Sequence, residues 1–299
     1  MTDYRIRHTT RYSYDGPVSG SYGLFHLRPR DLPWQQCRSH DVRIEPAAAD
    51  VFRHCDVFGN DKTYFHVIEP HTVLEVTAVS EVQISPQQLP PDRLSIAWER
   101  ARPDQRLELP DAWQAVDYTF ATPLVDLPDE VHDYARRSFP AGRPLGEAAT
   151  ELMHRIHADF DYQSGSSSVT SRVTDLLRSR SGVCQDFAHF LVACLRSQGL
   201  AGRYVSGYLA TRPPPGQPRL VGADASHAWA GCWVPGAGWL YLDPTNDRLT
   251  DEAHATVAFG RDYGDVPPVK GVIFTKAKES NMTVSVDMAP VPRADSAGR

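Results

Sequence analysis

Prolines at positions 86, 90, 91, 103 and 110 interrupt this 299-residue chain between Ser85 and Asp111. Proline has no N–H to give a sheet ladder and cannot continue a helix interior, so no long strand or helix can cross that stretch. The sequence differs on its two sides. From Tyr4 to about Ile84, runs such as "YRIRHTTRYSY", "KTYFHVIEP" and "TVLEVTAVSEVQI" are rich in β-branched and aromatic residues and are separated by Gly, Pro, Asn and Asp, the pattern of an antiparallel β domain. Beyond the break, "LGEAATELMHRIHADFDY" keeps helical spacing, with Leu152, Ile156 and Phe160 at steps of four. The expected fold is therefore α+β: an N-terminal β domain over 1–85, a Pro-rich linker over 86–111, a core over 112–290 that ends in the strand "NMTVSVDM", and a disordered tail over 291–299.

Charged residues make up 23% of the chain and the formal net charge is -6. That balance supplies neither the basic stripe of a nucleic-acid binder nor a polybasic membrane anchor, and no window approaches the run of about 18 apolar residues that spans a bilayer. A peptide or small-molecule partner fits better. The N-terminal "MTDYRIRHTTRYSYDG" lacks the apolar core of a secretory signal. Cys37, Cys55, Cys184, Cys194 and Cys232 are an odd set without disulfide-framework spacing. A cytoplasmic location is expected.

The chemistry concentrates after residue 160. A polar stretch, "QSGSSSVTSR", leads through "VTDLLRS" into a loop that ends at Val183, and "CQDFAHFLVACLRSQGL" then puts Phe187, Leu191, Cys194 and Leu195 on one helix face, with Gly199 as a C-terminal stop. Cys184 opens that helix. A thiol attacks only as thiolate, and the unpaired N–H groups and dipole of a helix N-terminus favour that anion. Gly182 permits a tight approach, and the Cys184 N–H is aimed where a developing oxyanion would sit. The nucleophile also needs an imidazole and a group that fixes the imidazole tautomer. His227 opens the strand "HAWAGCWV" and Asp243 ends the next, "WLYLDPT". A symmetric turn at Gly236–Ala237 would set Asp243 opposite Ala230, about 10 Å from His227 at roughly 3.3 Å per residue. An off-centre turn or a bulge is required.

The segments "SRSGVCQDFAHFLVACLRSQGLAGRYVSGYL", "DASHAWAGCWVPGAGWLYLDPTND" and "VAFGRDYGDVPPVKGV" resemble the bacterial transglutaminase-like proteins, whose core belongs to the papain-like superfamily, and the first 85 or so residues resemble the β-rich domain that accompanies this core. The resemblance implies a Cys184 nucleophile, a His227 base, an Asp243 orienting acid and acyl transfer through a thioester. Two positions depart from the pattern. The fourth residue after the histidine, often Glu in relatives, is Gly231, and no Trp upstream of Cys184 matches the indole of the animal transglutaminase oxyanion hole. Tyr162, Gln163 and Gln185 are the candidates for that second donor. Relatives of this kind are often encoded beside proteins resembling ATP-dependent peptide ligases, so the resemblance also implies a peptide-ligase-like partner.

Other residues read more plainly. Trp229 shares the strand parity of His227 and either covers the catalytic ring or belongs to the core. Cys194 and Cys232 read as small core hydrophobes. His189 reads as a packed or solvated side chain, and His154 and His157 as a solvated helix face rather than metal ligands. Cys37, His40, His54 and Cys55 have poor zinc spacing. Asp262 and Tyr263, in "GRDYGDVPP", either line the site or form a surface turn. With no Gly-rich phosphate loop, no metal or cofactor is expected. Hydrolysis of a peptide or isopeptide bond is the expected reaction, because amine transfer needs a second pocket for which the sequence carries no marker. An amine-transferring transglutaminase is the alternative, and an inactive protein-binding module is the alternative of another class.

Overall fold

The computed structural model describes residues 1–211 and 225–291, the side chain of Ala225 excepted. The proline loop around Pro213 to Pro218 and the tail beyond Val291 lie outside the described residues. The chain begins with five strands, β1 (Thr2–Phe25), β2 (Gln35–Glu45), β3 (Asp50–Cys55), β4 (Asp61–Val67) and β5 (His71–Ile84). Period-2 alternation drives them. In β1, Tyr4, Ile6, His8 and Thr10 are buried while Arg5, Arg7 and Arg11 are exposed. The strands form one antiparallel sheet in the order β2-β5-β1-β4-β3.

The stretch expected to be a linker is packed instead. It contains the short helix α1 (Pro91–Leu94), two 3₁₀ turns over Trp98–Ala101 and Pro103–Gln105, and leads into α2 (Ala112–Val116). Pro91 and Pro103 stand at the starts of their turns, where proline's fixed φ is suited and its missing N–H costs nothing. The apolar residues between the prolines are what the linker expectation undervalued. Trp98 and Ala101 are buried in the main core, and the Trp98 Nε1–H donates to the Pro140 carbonyl at 2.9 Å.

Helices α3 (Asp129–Ala135), α4 (Leu145–Asp159) and α5 (Val173–Ser179) follow, with two-residue strands β6 (Asp161–Tyr162) and β7 (Ser181–Gly182), and then α6 (Cys184–Ser197). In α4, Leu145, Ala148, Ala149, Leu152, Met153 and Ile156 are all buried, the stripe its spacing predicts. The strands β8 (Gly202–Leu209), β9 (Ala225–Val234), β10 (Gly238–Asp243), β11 (Arg248–Leu249) and β12 (His254–Gly260) make a second antiparallel sheet in the order β11-β10-β9-β8-β12. Helix α6 is buried along nearly its whole length, and Phe190, Leu191, Cys194 and Leu195 join Ala230, Cys232 and Leu242 of that sheet in one core.

The last two strands, β13 (Val269–Thr275) and β14 (Ser280–Pro290), return to the first sheet. "NMTVSVDM" forms a strand, but it joins the N-terminal unit rather than the core that precedes it. β14 pairs with Tyr4–Tyr14 of β1, and β13 with Val18–Phe25. The pairing satisfies the backbone on one side of β1 and buries Val286 and Met288 beside Tyr4 and Ile6.

Candidate active site

Cys184 is positioned by the turn that precedes it. The Val183 N–H donates to Asp186 Oδ2 at 2.8 Å, which closes the first turn of α6, and Ser167 donates to the same carboxylate oxygen. Gly182 lies so close to this turn that a Cβ there would meet Asp186 Oδ2 and Leu176 Cδ1, each at 2.9 Å. Only glycine fits. The result is a half-buried thiol at the start of a 14-residue helix, facing a cleft.

His227 and Asp243 meet because the hairpin turn is off-centre. Gly238 pairs with Val234 and Leu242 with Ala230, leaving a three-residue loop, 235–237, in which Gly236 has φ of 69° and after which Gly238 has φ of 96°. This register sets Asp243 one residue nearer His227 than a symmetric turn would, on the same face as Trp229 and His227. The His227 Nε2 lies 2.7 Å from Asp243 Oδ2. Asn246 Nδ2 lies 3.2 Å from the same ring nitrogen, and the Cys184 thiol lines the cleft beside the ring. Burial opposes protonation of His227, but the hydrogen bonds to Asp243 and Cys184 outweigh it and its pKa is pushed up to about 10.

Asp243 is fully buried. Burial alone would raise its pKa, yet hydrogen bonds from His227 and His254 hold the carboxyl well below the usual carboxylate range. Oδ1 accepts the Thr245 and Asn246 N–H groups at 3.1 and 3.2 Å, while Asn246 Nδ2 and His254 Nε2 reach Oδ2 at 2.7 and 3.2 Å. Asn246 and His254 were not found by sequence reasoning. For Asn246 a signal existed, since Asp followed by Pro-Thr-Asn is turn chemistry in which a carboxylate takes the next N–H groups. His254 carried none. The Asp251 N–H donates to its Nδ1 at 3.1 Å and Asp251 Oδ1 is 2.9 Å from the same nitrogen. Asp243, as a carboxylate, can only accept, so its contact with His254 Nε2 is made through a hydrogen on that nitrogen.

The remaining sequence candidates separate. Tyr162 pairs with Gly182 across β6 and β7 but is 58% exposed and is not among the described residues that line the cleft; partial burial and the neighbouring Cys184 push its phenol pKa up. Gln163 has an exposed side chain, and its backbone N–H donates to the Gly182 carbonyl at 2.9 Å. Gln185 lines the cleft with its amide donating to the Val169 carbonyl at 3.2 Å. Trp229 is buried with its ring centroid 6.0 Å from that of His227 and 5.4 Å from that of His254, so it packs against both imidazoles.

His189 is packed rather than solvated. It is buried, lies 4.8 Å from the Tyr204 ring and accepts the Tyr263 N–H, and burial pushes its pKa down to about 4. His154 and His157 are not simply a solvated face. His154 pairs with Asp247, and His157 Nδ1 lies 3.2 Å from the Pro244 carbonyl, so α4 clamps the loop that follows Asp243. Tyr263 lines the cleft and Asp262 is buried. A Cβ at Gly231 would crowd Tyr241 Cε1 at 3.0 Å and Arg203 Cγ at 3.1 Å, so the Glu often found there in relatives would require these side chains to shift.

Comparison with known proteins gives a consistent result. Residues 4–83 match the family described as the bacterial transglutaminase-like N-terminal region, and residues 133–244 match the transglutaminase-like superfamily. An uncharacterized protein of Mycobacterium tuberculosis is 46% identical over 297 residues, which is 96% of this chain and 92% of that protein. A protein-glutamine gamma-glutamyltransferase of Pseudomonas aeruginosa is 33% identical over 106 residues, 34% of this chain and 16% of that protein. The crystal structure of a candidate cysteine protease from Cytophaga hutchinsonii superposes with a TM-score of 0.76, covering 97% of this chain and 91% of that one at 18% identity. At that identity the likeness concerns the fold alone.

Proposed function

Because the chain belongs to the bacterial transglutaminase-like family, we propose that it is a Cys-His-Asp acyl-transfer enzyme that hydrolyses a peptide or isopeptide bond. The observation that carries this reading is His227, which shares one cleft with the Cys184 thiol and is hydrogen-bonded to buried Asp243. The Cys184 thiol passes its proton to His227, and the sulfur attacks the carbonyl carbon and forms the C–S bond. The negative charge that develops on the carbonyl oxygen is met by the Cys184 N–H at the helix start, with the second donor drawn from Tyr162, Gln163 and Gln185. The C–N bond then breaks, and the proton on His227 goes to the leaving amine. In the second half, His227 takes a proton from water as the water attacks the thioester carbonyl; the C–S bond then breaks, releasing the acid, and the proton returns to the sulfur.

Throughout, Asp243 remains ionised and keeps the ring oriented, because its oxygens are fully occupied by donors. The substrate is a peptide or protein, and a peptide-ligase-like protein is the partner suggested by resemblance. All five cysteines are free, which suits a reducing cytoplasm. Incubating the protein with a peptide library, with and without an added primary amine, tests the acceptor. Hydrolysed products that are unchanged by the amine support the reading. Amine-adduct products as the main species overturn it in favour of transfer.

A further inference from the structure

The Cys184 cleft, a cavity of about 390 Å³, is not built by the catalytic core alone. Its far wall comes from the first sheet, through His8, Thr10 and Tyr12 of β1 and Met282 and Val284 of β14. These residues are not scattered. Tyr12 stands directly opposite Met282, Thr10 opposite Val284 and His8 opposite Val286, so they form one face of a two-strand ribbon. Strand alternation sorts the chemistry of that ribbon. Its other face carries Arg7 opposite Asp287, and Arg11 opposite Thr283, while the face turned to Cys184 holds no Asp, Glu, Lys or Arg. No such residue lines any part of the cleft among the described residues.

The two most polar groups on this face are tied to one another. His8 Nε2 lies 2.8 Å from Thr10 Oγ1, and its Nδ1 is 3.2 Å from the Tyr208 hydroxyl. Burial also pushes the His8 pKa down to about 4, so the ring is neutral. A charged group entering this slot would lose its water and find no ionic partner, whereas an apolar group would cover Met282, Val284 and Tyr12. The volume is that of a small ligand site.

On the reading that Cys184 is the nucleophile, we infer that the β1–β14 ribbon is the specificity wall of the enzyme and selects acyl donors whose group beside the scissile carbonyl is uncharged and apolar. The C-terminal strand thus returns to the first sheet to finish the substrate slot, with Met282 and Val284 at its rim.

The test uses N-acetyl-peptidyl acyloxymethyl ketones with Leu, Glu or Lys at the ketone-bearing residue. In these probes the Cys184 sulfur displaces the carboxylate and leaves a thioether that intact mass reads. The wild-type protein should react with the Leu probe about tenfold faster than with the Glu or Lys probe. Met282→Lys should raise the Glu-to-Leu rate ratio about tenfold by supplying a cation at the rim, whereas Thr283→Lys, one residue along on the opposite face, should keep the wild-type ratio. Equal wild-type rates for the three probes, an unchanged ratio in Met282→Lys, or the same change in Thr283→Lys would overturn the inference. So would failure of every peptidyl probe while iodoacetamide alkylates Cys184. Failure of iodoacetamide itself at Cys184 would instead remove the nucleophile reading on which the inference rests.

Discussion

His254 donates to Asp243 through the same carboxylate oxygen, Oδ2, that holds His227, at 3.2 Å and from within the protein interior. The carboxylate is thus braced by an imidazole that Asp251 holds at its other nitrogen. His254 is a positioning residue: it touches Asp243 and not the reacting atoms. Replacing it by Phe removes one hydrogen bond to a buried charge, worth about 1.5–3 kcal/mol, and should lower kcat about tenfold or more. His254→Gln keeps a donor and should recover most of the loss. Equal loss in both variants, or none in either, would show that the hydrogen bond is not the cause.

The pH dependence of stability follows from the same pair. The folded His227 pKa of about 10 lies above its ordinary value of 6.5. Its contribution is therefore fully present below pH 6.5 and is lost as pH rises towards about 10. Asp243 is shifted the other way, so its contribution is present above its ordinary value of 3.8 and is lost as pH falls below that. The stability difference between wild type and His227→Gln, measured by urea unfolding, should shrink steadily from pH 6.5 to pH 10. A difference that grows over this range would contradict the assignment.

Trp98 tests whether the proline-rich stretch belongs to the core. It is 6% exposed and packs edge-on to Phe139 at 5.4 Å between ring centroids. Trp98→Ala should cost about 3–5 kcal/mol in denaturant unfolding. A cost below about 0.5 kcal/mol, typical of a surface site, would restore the linker reading.

Met288 tests the return of the C-terminal strand in the same way. It is fully buried among Tyr4, Ile6 and Val286. Met288→Ala should destabilise the protein by about 2–5 kcal/mol. Unchanged stability would mean that β14 does not complete the first sheet in solution.

The α+β class was legible because it rests on local pattern, whereas the roles expected of Cys184, His227 and Asp243 also drew on the family resemblance. Alternation in β1, the helical stripe of α4 and the Gly-Val-Cys entry to α6 are readable within a few residues of chain. The requirement for an off-centre turn was also legible, since strand geometry alone shows that a symmetric hairpin leaves Asp243 too far from His227. What escaped is what depends on distant pairing. The alternation of β14 identifies a strand but not the sheet that it joins, and Val286 finds its neighbours in Tyr4 and Ile6 at the other end of the chain. His254 lies in the plain stretch "DEAHATVAFG" and acquires its part only when β12 folds beside β8, bringing its ring to Asp243. The 86–111 stretch misled for another reason: prolines forbid long elements, but they also start short turns, and between them Trp98 still seeks the core.

The most direct measurement of the central claim is capture of the acyl-enzyme. An activated peptide ester mixed with the protein and quenched in acid within the first turnover should give an intact mass increased by the acyl group, with the adduct mapped to Cys184. The adduct should be absent in Cys184→Ala and slow to form in Asp243→Asn, whose altered side chain no longer holds the His227 tautomer. An adduct on any other residue, or undiminished turnover by Cys184→Ala, would contradict the account.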